Sequence, residues 1–160
     1  MKKLSMASIA ILAACSAAGG SQHGAVGKPA PDWSDPTISG STLSSSSLQG
    51  KPLWLNFFAT WCPPCNDEAP TVQAVSGQFA SQGLQVVGVD VQESATKAKL
   101  FVDMHRLRYP AVVDTGTLSD LYSINGMPVN VFIDKSGVVR KIEIGQLDRA
   151  TMIADVKMIL

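Results

Sequence analysis

Leu53-Trp54-Leu55-Asn56-Phe57-Phe58, followed at once by Ala59-Thr60-Trp61-Cys62-Pro63-Pro64-Cys65, is the stretch on which the fold turns. The apolar run reads as a buried strand. Two cysteines one helical turn apart, where the next helix should begin, read as a redox-active dithiol. A disulfide closing so short a loop removes little entropy from the unfolded chain, so it is a poor staple. A bond that stabilises so little is readily made and broken, which suits electron exchange. A zinc site would need two further ligands. The chain offers only His23, His105 and Cys15, so no metal is expected.

Beyond this point strands and helices alternate. Pro63 to about Gln82 reads as a helix closed by Gly83, Leu84–Val91 as a strand, and Ala95–Leu107 as a helix. Ala111–Val113 is a short strand and Leu118–Ile124 a short helix. Val129–Ile133 and Val138–Ile144 form a hairpin across Asp134-Lys135-Ser136-Gly137. A closing helix runs from Asp148, a suitable N-cap, to Leu160. Upstream, Asp32–Leu43 suits a hairpin across Ser39-Gly40-Ser41, and Ser44–Gln49 a turn. The order predicts an α/β fold with a mixed central sheet flanked by helices.

The 160 residues suffice for one domain with a real core. The formal charge of zero gives no basic field for nucleic acid. Lys2 and Lys3 precede an apolar run, Leu4–Ala14, of signal-peptide length. It ends Leu12-Ala13-Ala14-Cys15, which resembles a bacterial lipobox with Cys15 as the lipidated residue. A plain secretory signal cut nearby is the alternative. The expected layout is residues 1–14 signal peptide, 15–27 flexible tether and 28–160 folded domain, anchored to a membrane without crossing it. Loss of residues 1–14 would leave eleven basic against thirteen acidic residues.

Several of these segments together resemble a known family. Gly27-Lys28-Pro29-Ala30-Pro31-Asp32, Phe58-Ala59-Thr60 before Trp61, Glu68-Ala69-Pro70, Gly126-Met127-Pro128 and Phe132-Ile133-Asp134-Lys135-Ser136-Gly137 carry the likeness. They resemble the thioredoxin fold, and within it the tethered extracytoplasmic thiol–disulfide oxidoreductases of the TlpA/ResA type. The likeness covers roughly Val26 to Leu160. It implies a thioredoxin-like fold with an N-terminal hairpin and an extra strand and helix between Val86 and Val113. It further implies a lipid-anchored enzyme of the bacterial cell envelope that reduces disulfide-containing proteins, in a setting such as cytochrome c maturation. A membrane thiol reductant of the CcdA/DsbD type would resupply it. A monomer is expected, with the Cys62–Cys65 disulfide as its only redox group.

The residues then take roles. Cys62 should be the N-cap and Pro63 the first helical residue, where proline's fixed φ is suited and its missing N–H is no loss. Pro64 has no N–H either, so the Cys65 N–H should point at the Cys62 sulfur. With the helix dipole this favours thiolate and makes Cys62 the nucleophile. Cys65 should be the more buried, resolving thiol. Thioredoxin places a buried acid where this chain has Asn56, and Glu68, one turn past Cys65, is the substitute proton acceptor that the ResA-type likeness implies. The likeness also makes Met127-Pro128 a cis bond facing the dithiol, with Met127 offering its backbone to substrate. Trp61 should lie beside Cys62 as an apolar docking surface, while Trp33 and Trp54 suit core positions. His105, Arg106 and Arg108 read as a solvated basic cluster. Two other functions stay open. One is a thiol peroxidase, although Thr60 stands two residues before Cys62 where three are wanted. The other is a copper-handling lipoprotein using Cys62, Cys65 and Met127 as soft ligands.

Overall fold

The computed structural model describes residues 23–160. The expected signal peptide and Cys15 lie outside the described residues. A short hairpin, β1 (Ser34–Pro36) with β2 (Thr42–Ser44), leads through a single 3-10 turn at Ser45–Leu48 into β3 (Leu53–Phe58). Helix α1 (Pro63–Phe79), β4 (Gln85–Val91), α2 (Ala95–Met104) and β5 (Ala111–Asp114) follow. Helix α3 (Thr117–Leu121), β6 (Val129–Ile133), β7 (Val139–Ile144) and α4 (Arg149–Ile159) complete the chain. The five-stranded sheet runs β5-β4-β3-β6-β7. Strand β3 sits at its centre, parallel to β4 and antiparallel to β6, which is the mixed α/β sandwich expected.

All six residues of β3 are buried, because both faces of the sheet are covered. Trp54 and Phe58 point to the layer of α1, α2 and α4, where they meet Val72, Phe101 and Met152. Leu53, Leu55 and Phe57 point to the opposite layer with Trp33, Leu118 and Tyr122. Phe58 stacks on Phe101 with ring centroids 4.2 Å apart, so α2 is fixed over the end of β3 that leads to the cysteines. Helix α4 starts as expected, with Asp148 accepting from the Thr151 N–H at 2.8 Å. No helix among the described residues is long and apolar enough to cross a membrane.

Three boundaries differ from the sequence expectation. The chain joins the domain before residue 28, since Gly24 donates its N–H to the Leu121 carbonyl and Gly27 to that of Val139. Glycine is required at 24, where a Cβ would lie 2.2 Å from the Tyr122 ring. Helix α2 stops at Met104, because Arg106 turns to a positive φ. Helix α3 occupies only Thr117–Leu121, and its start is set by the Asp114 carboxylate, which accepts from the N–H groups of Gly116, Leu118 and Ser119. That carboxylate comes from the preceding strand, so helical periodicity carried no trace of it.

Replacing Phe101 by Ala should cost about 3–5 kcal/mol of stability, because the cavity would open beneath the stacked Phe58 ring. Urea denaturation of the oxidised protein measures this loss.

Candidate active site

Strand β3 delivers the chain to the site and α1 receives it. Cys62 has extended backbone angles and is the N-cap of α1, with Pro63 and Pro64 opening the helix. The Cys65 N–H donates to the Cys62 sulfur at 3.2 Å, as the two prolines require. The sulfurs of Cys62 and Cys65 are joined as a disulfide. Cys65 faces the core, whereas Cys62 lies on the floor of an open groove.

That groove is lined by Trp61, Pro64, Gln92, Ile124 and Met127 around Cys62. The Trp61 side is apolar and 66% exposed, so Trp61 is a surface residue and Trp33 and Trp54 are the core tryptophans. The Met127–Pro128 bond is cis. Met127 bridges the two apolar layers while lining the groove with Cys62, and Pro128 is buried behind it.

Glu68 is 2% exposed. It lies on the inward face of α1, one turn beyond Cys65. A carboxyl here has lost water and has no cationic partner among the described residues. Three donors serve it instead. Asn56 donates to Oε1 at 3.0 Å, Asn130 to the same oxygen at 3.3 Å, and the Leu147 N–H to Oε2 at 3.1 Å. Burial raises its pKa above the ordinary glutamate value, and the bonds from Leu147, Asn130 and Asn56 only partly offset this. Asn130 also accepts from the Trp54 indole at 2.8 Å and from Asn56 at 2.9 Å. Asn56 and Asn130 are direct partners across β3 and β6, so the sheet builds this polar pocket by register. Asn56, which cannot titrate, therefore serves Glu68 as a donor.

The turn entering α1 is held from two sides. The Asn66 side-chain amide donates to the carbonyls of Thr60 (3.1 Å) and Cys62 (2.8 Å). Its oxygen contacts His105 Nε2 at 3.0 Å. Because the Asn66 amide nitrogen serves the two carbonyls and its single oxygen can only accept, His105 Nε2–H is the donor there. Burial lowers the His105 pKa and keeps the ring neutral. It also packs on Phe101, at 4.5 Å between centroids. His105 is thus part of the site's support, which corrects its reading as a solvated basic residue; Arg106 and Arg108 are exposed. On the other side, Glu93 accepts from the Thr60 N–H at 2.6 Å and from its hydroxyl at 2.7 Å. The hydroxyl that a thiol peroxidase would need is donated to this carboxylate. Sequence reading missed Asn130, Asn66 and Glu93. The one signal was two asparagines, 56 and 130, inside otherwise apolar strands. Among the described residues, no group of three or more His, Cys, Asp or Glu side chains could hold a metal ion.

Known proteins resemble this chain in sequence and in fold. The sequence pattern of the AhpC/TSA family matches residues 26–142. Thiol-disulfide oxidoreductase ResA of Bacillus cereus is 34% identical over 119 residues, covering 73% of this chain and 69% of ResA. Thioredoxin-like protein YneN of Bacillus subtilis is 32% identical over 129 residues, covering 79% of this chain and 75% of YneN. The crystal structure of a thiol:disulfide interchange protein, a thioredoxin family protein from Chlorobium tepidum, superposes with a TM-score of 0.76 at 36% identity. It covers 82% of this chain and 95% of that one.

The raised Glu68 pKa fixes a pH dependence of stability. The folded state holds the Glu68 proton more tightly than the unfolded chain, so this residue contributes most below the ordinary carboxylate range. Its contribution is lost as pH rises through the raised value. Urea denaturation from pH 4 to 8 should show the unfolding free energy of the parent falling relative to that of Glu68→Gln. Parallel curves would contradict the burial argument.

Proposed function

The chain belongs to the AhpC/TSA family and is a thioredoxin-fold thiol–disulfide oxidoreductase; from that premise we propose that Cys62 and Cys65 perform the exchange outside the cytoplasm, in the reducing direction. The observation that carries this reading is the Cys62 sulfur at the start of α1, receiving the Cys65 N–H on the floor of a groove. In the reduced protein the same N–H and the helix dipole stabilise a Cys62 thiolate. That thiolate attacks one sulfur of a substrate disulfide, forms a mixed disulfide and expels the other sulfur as a thiolate, which takes a proton from water. Cys65 then gives its proton to Glu68 and attacks the Cys62 sulfur. The mixed disulfide breaks, and the second substrate thiolate leaves and is protonated. Two electrons have passed from the protein dithiol to substrate.

Glu68 suits the accepting role because burial lifts its carboxyl toward the thiol range, which lessens the mismatch in proton affinity. Trp61, Met127 and Pro128 line or back the groove as the docking surface for an extended peptide. The reducing direction is supported by Pro63 and Pro64. Neither has an N–H, which leaves Cys65 as the N–H donor to the sulfur. A less stabilised thiolate makes a less oxidising disulfide. The placement at the bacterial envelope rests on the N-terminal sequence, read as a signal peptide with lipidation at Cys15. A membrane thiol reductant of the CcdA/DsbD type then resupplies electrons, and substrates include apocytochrome c disulfides.

Insulin reduction with excess dithiothreitol tests the core of this reading. The parent should accelerate it and Cys62→Ser should abolish the acceleration; in a separate reaction free of dithiothreitol, pre-reduced Cys65→Ser should accumulate a stable mixed disulfide with insulin through Cys62. Activity surviving in Cys62→Ser would refute the assignment. In Glu68→Gln, release of reduced substrate at neutral pH should slow on the order of a hundredfold, measured as the lifetime of the mixed disulfide in single turnover.

A further inference from the structure

Thr60 is the last residue but one before the reacting sulfur, and its fixation has an unusual origin. Glu93 follows β4, 33 positions away, yet it takes both the backbone N–H and the hydroxyl of Thr60 in a two-pronged grip. The Glu93 side chain is 2% exposed. Lys97, at 3.3 Å, is its cationic neighbour and is itself mostly exposed. Asn66 holds the carbonyls of Thr60 and Cys62, and the Cys62 N–H donates to the Ala59 carbonyl. The turn into the cysteines is therefore tied at nearly every polar atom, and Glu93 supplies the anchor at its first residue.

Beneath Glu93 lies Asp90, fully buried on β4 beside Phe58 and Val113. Among the described residues, neither Asp90 oxygen has a hydrogen-bond partner. Its side chain instead faces the Glu93 carboxylate. Two carboxylates have nothing to share there, but a carboxyl and a carboxylate do. Asp90, fully buried and without another donor, is the natural place for that proton. Burial first, and then the Glu93 charge, push the Asp90 pKa up to about 7. Burial also favours the neutral form of Glu93, but the Thr60 N–H, the Thr60 hydroxyl and Lys97 outweigh it and hold Glu93 ionised. The other charged groups facing Asp90 are Lys97 from α2 and Asp114 from β5. Asp35 of β1 in turn faces Asp114.

We propose that Glu93 is the positioning residue of the Thr60–Cys62 turn, and that a proton shared with Asp90 sets how firmly it grips that turn. The inference rests on the reading of Cys62 as the attacking thiol. With Asp90 protonated, its O–H steadies Glu93 against Thr60. When Asp90 ionises, the donor is lost and two negative charges face each other in a dry site. Glu93 is then driven toward Lys97 and away from Thr60, and Cys62 loses part of its fixed place at the head of α1. The dithiol would thus answer to pH through a group that never touches substrate.

Two readouts on the full protein test this. In a 15N–1H titration of the oxidised protein, the Thr60 amide proton should lie far downfield and move upfield as pH crosses about 7. Glu93→Ala should shift it upfield at all pH values, and Asp90→Asn should abolish the step. In the reduced protein, exchange of Cys62 with a small disulfide should slow about tenfold in Glu93→Ala and recover in Glu93→Gln, which keeps an acceptor for the Thr60 N–H. A folded Glu93→Ala with unchanged Thr60 shift and exchange rate would overturn the proposal. If Glu93→Ala does not fold, an unaltered Thr60 step in Asp90→Asn would overturn it equally. Failure of the parent itself to react at Cys62 would instead refute the assignment of the nucleophile, leaving the Thr60 titration as the separate test of the grip.

Discussion

The site depends on one constraint: the chain must leave a strand buried on both faces and enter a helix within four residues. Strand β3 ends at Phe58, and α1 begins at Pro63. A turn that short cannot hide its polar groups in secondary structure of its own, so each needs a partner. The partners come from elsewhere, from Asn66 on α1, itself held by His105 past α2, and from Glu93 past β4. Once the turn is pinned in this way, the side chain at position 62 has to sit at the helix N-cap. The two prolines then leave Cys65 to aim its N–H at the sulfur there.

A second consequence of the buried centre is a set of carboxyl groups held away from water. Glu68 has amide donors and no cation, and Asp90 has a carboxylate neighbour and no donor. Both therefore bind protons more tightly than they would in solution. They lie on the helix-packed side of the sheet, one beyond the resolving cysteine and the other beneath the turn that carries the attacking one. Stability is sacrificed at these points, as is common where a fold holds groups poised for proton transfer. The surrounding apolar layers, with Trp54 on Phe132 and Phe58 on Phe101 stacked within them, supply the compensating burial.

Much of this was legible in the sequence because it is written locally. The apolar run of β3, the Cys62-Pro63 helix start, the Asp134–Gly137 turn and the Asp148 cap each depend on residues a few positions apart. The groove residues Trp61 and Met127 were legible through the resemblance of their flanking motifs. Asn130 was not, because its meaning appears only when β6 pairs with β3 and brings it opposite Asn56, 74 positions away. Glu93 and His105 were hidden for the same reason, since they serve atoms 33 and 39 residues distant. His105 also carried a misleading local context, two arginines in a polar loop, where tertiary packing on Phe101 decides its environment.

Position in the fold, and not the presence of two thiols alone, makes one sulfur reactive. The direct measurement is labelling of the fully reduced protein at pH 7 with iodoacetamide below one equivalent, with the modified cysteine located by mass spectrometry. Label should concentrate at Cys62, with Cys65 modified only after unfolding. Equal labelling of the two cysteines in the folded protein would contradict it.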